Sequence, residues 1–179
     1  MADNKSVFGI FLKRTDVESA IDALKAAGFS NADVSVLLPE NVNSGELATE
    51  QSTKAPAGAA VGVGSGAAVG GALGWLVGIG ALAIPGIGPV VAAGPLLAAL
   101  AGVGIGGAFG GFAGVLVGLG IPEYQANEYE GQMLKGGILV AVRGETDEQV
   151  DRAKHVLSQS GARDVVVSRE TGGTARNAA

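Results

Sequence analysis

Residues 6–13, SVFGIFLK, form a short apolar run rich in β-formers and predict a strand. The period then changes. Val17, Ala20, Ile21 and Leu24 follow at helical spacing, with Thr15-Asp16-Val17-Glu18 as a capping box before them and Gly28 as the C-cap. Asp33–Leu38, DVSVLL, reads as the returning strand, which completes one βαβ unit. The C-terminal part repeats the plan. Gly137–Arg143 is a strand, Thr146-Asp147-Glu148-Gln149 a second capping box, Val150, Ala153 and Leu157 an apolar stripe, and Asp164–Val167 a final strand. Two such units predict an α+β fold, a ferredoxin-like split βαβ sandwich with its helices on one sheet face.

Between the two halves the pattern is of another kind. Pro39–Lys54 has no periodicity and reads as a linker. Ala57–Ile84 is an uncharged run with glycine at 58, 62, 66, 70, 74 and 78. IPGIGPVVAAGP (Ile84–Pro95), with three prolines, is expected to turn the chain, and Leu96–Leu119 is a second uncharged run with glycine at 102, 106, 110, 114 and 118. Glycine inside a helix costs about 0.5–1 kcal/mol relative to alanine, so a repeat of four needs a reason. Residues four apart share a helix face, and a glycine groove lets two backbones approach closely. Gly58, Gly62, Gly66, Gly70, Gly74, Gly78, Gly102, Gly106, Gly110, Gly114 and Gly118 are therefore the candidate helix-packing interface of a glycine-zipper helical hairpin. Each run exceeds the roughly 20 residues that cross a bilayer core. Gly and Ala add little apolar area, so the two helices are expected to need each other, or further copies.

Charge sharpens the division. The 12 Lys and Arg and 17 Asp and Glu of the 179-residue chain all lie in 1–54 and 123–179; the 68 residues from Ala55 to Pro122 carry none. A net charge of −5 argues against nucleic-acid binding. The lack of cysteine rules out disulfides and thiolate metal sites. The N-terminus reads as cytosolic, its apolar run being too short for a signal peptide. Lys54 and Lys135 flank the insertion and its turn is uncharged, which agrees with a cytoplasmic domain.

Candidate chemistry is sparse. Gly102–Gly107 matches GxGxxG, yet it lies in a Leu/Ala-rich helical run rather than after a strand, so no cofactor is expected. His155, the only histidine, is off the apolar stripe of its helix and reads as a solvated residue. Tyr124 and Tyr129, in a short helix opened by Pro122, are expected to pack on the sheet or lie at a headgroup layer. No nucleophile–base pair is visible, and no enzyme or metal site is expected.

The segments VFGIFLKRTDVESAIDALKAAGFSNADVSVLLPE, IPGIGPVVAAGPLLAAL, GLGIPEYQANEYEGQMLKGGILVAVR and ARDVVV resemble bacterial general-stress proteins. The likeness is to a heat-induced stress protein (YflT-like) domain interrupted by a glycine-zipper hairpin, over residues 6–168. It implies stress-associated expression and membrane association, and it brings no catalytic residues. The expected organisation is 1–38, first βαβ half; 39–55, linker; 56–121, hairpin; 122–136, short amphipathic helix; 137–169, second half; 170–179, disordered tail. The expected function is a non-enzymatic stress protein that self-assembles, associates with membrane lipid, or both. Its place is then the cytoplasmic face of the inner membrane, with both termini cytoplasmic. The alternatives are a soluble cytoplasmic homo-oligomeric shell that buries its apolar hairpins and holds lipophilic cargo, and a small-ligand sensing module.

Overall fold

The first apolar run becomes β1 (Lys5–Phe11), and its side chains divide between two cores: Val7 and Phe11 enter one, Phe8 and Ile10 the other. The computed structural model describes residues 5–39, 76, 79–84, 87–94 and 111–169. The elements after β1 are α1 (Arg14–Ala26), β2 (Val34–Pro39), β3 (Ile79–Ile84), β4 (Gly88–Ala93), α2 (Phe112–Gly118), α3 (Glu123–Leu134), β5 (Ile138–Gly144), α4 (Asp147–Gln159) and β6 (Arg163–Arg169). The fold is α+β. Six strands form one sheet in the order β3-β4-β2-β5-β1-β6, and every neighbouring pair is antiparallel.

Helices cover both faces of this sheet, not one. On the first face Val17, Ala20, Ile21 and Leu24 of α1 and Val150, Ala153 and Leu157 of α4 pack with Val36, Val140 and Val142. On the second, Phe112 and Leu116 of α2 and Ala126, Tyr129 and Met133 of α3 cover Phe8, Ile10, Leu37 and Leu139. The reason is visible in the strands. Neither β1 nor β5 has a polar side, and a strand apolar on both sides requires cover on both. Each large side chain so buried stabilises the fold by about 1.5–3 kcal/mol.

The helical hairpin expected over 56–121 is corrected where the structure describes it. Ile79–Ile84 ends the first expected helix, yet it is strand β3; Gly88–Ala93, expected as turn, is strand β4. Ile84 pairs with Gly88 and Ile79 with Ala93, so the two make a β-hairpin, and β4 adds it to β2 through Val36↔Ala93 to Pro39↔Val90. Prolines at 85 and 89 forbid a continuous helix, and Gly88, which opens β4, takes φ +94, a left-handed conformation that glycine adopts readily. A six-residue uncharged run suits a buried strand as well as a helix, and the flanking Pro and Gly exclude only a helix that runs on through them. Of the second expected helix, Phe112–Gly118 is helical. Pro39, expected to open the linker, ends β2; residues 40–75, 77, 78, 85, 86 and 95–110, with the tail, lie outside the described residues. Among the described residues no helix is long and apolar enough to cross a membrane.

The two capping boxes part company. Thr146 is the N-cap of α4: its hydroxyl accepts from the Gln149 amide at 3.2 Å, while Gln149 Oε1 accepts from the Glu145 amide at 2.7 Å. Thr15 is no cap. α1 starts at Arg14, its N-cap Lys13 has no side-chain cap bond, and Glu18 instead pairs with Arg14 Nε at 3.1 Å.

Candidate functional site

In the layer formed by α2 and α3, α2 carries two of the candidate interface glycines, Gly114 and Gly118. Pro122 stands at the N-cap of α3 with φ −56. From there Ala126, Tyr129 and Met133 recur at helical spacing and turn one stripe onto the sheet. Tyr129 is fully buried. Its hydroxyl donates to the main-chain carbonyl of Asp164 and lies 3.3 Å from the carbonyl of Phe8. Those carbonyls flank an irregularity in the β1–β6 ladder, where Phe8 pairs with Val166 but Ile10 pairs with Arg163. One extra residue on β6 is thereby bulged, and Asp164 there has φ +50. Burial pushes the Tyr129 phenol far above its usual range, and the charges of Asp164 and Glu128 raise it further. A phenol kept protonated beside two carbonyls is a structural donor and not a base.

Both ends of α2 are held. At its start Glu130 Oε2 accepts from the Ala113 amide at 3.1 Å, which satisfies a donor that the first turn leaves without a helical partner. At its end the buried Ser168 hydroxyl donates to the Leu119 carbonyl at 2.6 Å. Phe112, Ala113 and Leu116 face inward, while Val117, Gly118 and Tyr124 are exposed.

Of the eleven candidate interface glycines, Gly114 and Gly118 fall on α2, one helical step apart. Nothing among the described residues lies within 4 Å of where a Gly118 Cβ would be, so none of their backbones packs into that notch. Gly58, Gly62, Gly66, Gly70, Gly74, Gly78, Gly102, Gly106 and Gly110 lie outside the described residues, as does the GxGxxG match. The structure therefore does not show the predicted glycines brought together.

A second region is an open groove of about 500 Å³ between β1, α4 and β6, lined by Lys5, Asp147, Val150, Asp151, Lys154 and Val167. Its charges are matched: Lys5 pairs with Asp147, and Lys154 lies 3.9 Å from Asp151. All four groups are at least partly exposed, so the groove offers no desolvated acid–base pair. Among the described residues no group of His, Cys, Asp and Glu is placed to hold a metal. His155 is exposed on α4. The bulge at Asp164 and the outer edge at β3 are the features that sequence reasoning missed. The prolines around 79–94 carried a signal for the second, and no sequence signal marked the first. No family model, curated protein or solved structure matches the chain.

Proposed function

We propose that this chain is a non-enzymatic, stress-associated protein whose uncharged insertion, 56–121, brings copies of the chain together. One observation carries the reading: apolar residues at two places in that insertion are covered by the chain's own domain. Val90, Ala92, Phe112 and Leu116 are each 0% exposed, packed on the sheet of their own domain. An insertion that buries its apolar residues this way favours the homo-oligomeric assembly, with the glycine runs packed against other copies. A second reading, membrane association, rests on Gly58–Gly78, an uncharged stretch long enough to cross a bilayer core. The finer fold reading is a ferredoxin-like split βαβ core, β6-β1-β5-β2 with α1 and α4. It is supported by the strand order, in which β1-α1-β2 passes over β5 and β5-α4-β6 passes over β1.

Detergent-free fractionation followed by sedimentation tests the functional reading. A discrete particle of several chains in the soluble fraction is expected; recovery only in carbonate-resistant membranes supports the second reading instead. Gly66→Leu and Gly110→Leu are expected to break the assembly, and Ala72→Leu to be milder. Equal tolerance at all three removes the glycine interface.

A further inference from the structure

The two ends of the sheet differ in a way that bears on self-association. β6 closes one end with Arg163, Asp164 and Arg169 and with the bulge at Asp164. β3, IGALAI, closes the other with no charge and no proline, and among the described residues only β4 pairs with it. Charges and bulges are the devices by which edge strands resist pairing with another chain.

Symmetry makes the contrast sharper. When two copies join one continuous antiparallel sheet, the two-fold axis stands perpendicular to that sheet, so one residue of the edge strand faces itself across the axis. A charged residue there opposes its own copy, and like charges directly opposite destabilise a pair. On β6, a contact centred on Val166 sets Arg163 against the partner's Arg169. On β3 every centre is neutral, in a chain of net charge −5 whose charges all lie outside 55–122.

We propose that β3 is the self-association edge: it pairs antiparallel with β3 of a second copy, centred on Ala81 or Leu82, to give a twelve-stranded sheet across the dimer. This rests on the self-assembly reading above and names the surface for it. Backbone N–H and C=O groups supply the contact, so the strand needs no side-chain specificity beyond neutrality.

The chain has no cysteine, which allows a direct test on the full-length protein. Ala81→Cys, Leu82→Cys and, as a control at the C-cap of α4, Ser160→Cys are oxidised mildly and run on non-reducing gels, while sedimentation reports the assembly. Only the axial residue meets its own copy at cross-linking distance. One of the first two is therefore expected to give a reducible dimer at least ten times faster than the other and than the control. Ala81→Lys or Leu82→Lys, at whichever of the two positions cross-links, is expected to weaken association at least tenfold with circular dichroism unchanged, and an equimolar mixture with Ala81→Glu or Leu82→Glu at the same position to restore it. Cross-linking no faster than the control, in a protein that still sediments as an assembly sensitive to Gly66→Leu, overturns the edge and leaves the glycine contact standing. A monomeric wild type overturns both. Equal cross-linking at the two positions overturns the two-fold register.

Discussion

The hydroxyl of Tyr129, on the helix that covers the second face, is hydrogen-bonded to the main-chain carbonyl of Asp164, at the bulge of the edge strand β6. The bulge turns that carbonyl out of the ladder, and the phenol takes the place of the missing strand partner. This one contact ties α3, the end of the sheet and the irregular backbone at Asp164 together.

Tyr129→Phe keeps the ring and removes the donor. The part-buried Asp164 carbonyl then loses this donor, at a cost of about 0.5–1.5 kcal/mol. Urea unfolding is expected to show a lower midpoint with an unchanged slope. An unchanged midpoint means that the hydroxyl contributes nothing.

The same residue predicts an alkaline instability. In the unfolded chain a tyrosine loses its proton near pH 10, whereas in the folded chain burial holds Tyr129 protonated well above that. The folded state then binds more protons, so this contribution is complete below about pH 10 and is lost as pH climbs toward the folded value. Wild type and Tyr129→Phe are expected to converge in stability as pH rises above about 10, as followed by thermal melting. Parallel profiles exclude the linkage.

Gly94 and Gly88 separate steric from conformational cost. A Cβ on Gly94, at φ +86, falls 2.3 Å from the Val34 carbonyl oxygen and 2.9 Å from Ser35 Cα, both main chain of β2. Gly88, at φ +94, has nothing within 4 Å. Gly88→Ala is expected to cost about 1–2 kcal/mol for its left-handed backbone alone. Gly94→Ala must also displace β4 from β2, adding about 1–3 kcal/mol of overpacking. Chemical denaturation of the two variants side by side gives the difference.

Thr146→Ala is expected to destabilise by about 1 kcal/mol, the usual loss of an N-cap. Thr15→Ala, in an equally good sequence motif, is expected to change stability by less than about 0.5 kcal/mol, because Thr15 caps nothing. Equal losses place the start of α1 two residues later than Arg14.

Glu130→Ala is expected to release the start of α2, with faster hydrogen exchange at the Ala113 amide and a loss of about 1 kcal/mol, and Glu130→Gln to be milder because it keeps an acceptor. Exchange unaltered in both variants shows that the α2 terminus is held by packing alone.

Local pattern was enough for the two βαβ halves. The spacing of Val17, Ala20, Ile21 and Leu24, and of Val150, Ala153 and Leu157, marks helix faces because burial of one stripe repeats every 3.6 residues whatever the partner. The Thr146 cap was legible for the same reason, since its bonds span three residues. The candidate interface was legible only as a glycine period, and a period names a face without naming what lies against it.

Other features depended on residues distant along the chain. Ile79–Ile84 is strand because β4 lies beside it and β2 lies beyond, and a run of small apolar residues has no preference strong enough to decide alone. Asp164 leaves the ladder where Tyr129, 35 positions earlier, meets it. Side-chain periodicity reports which residues leave water; which backbone they then meet is a property of the whole packed chain.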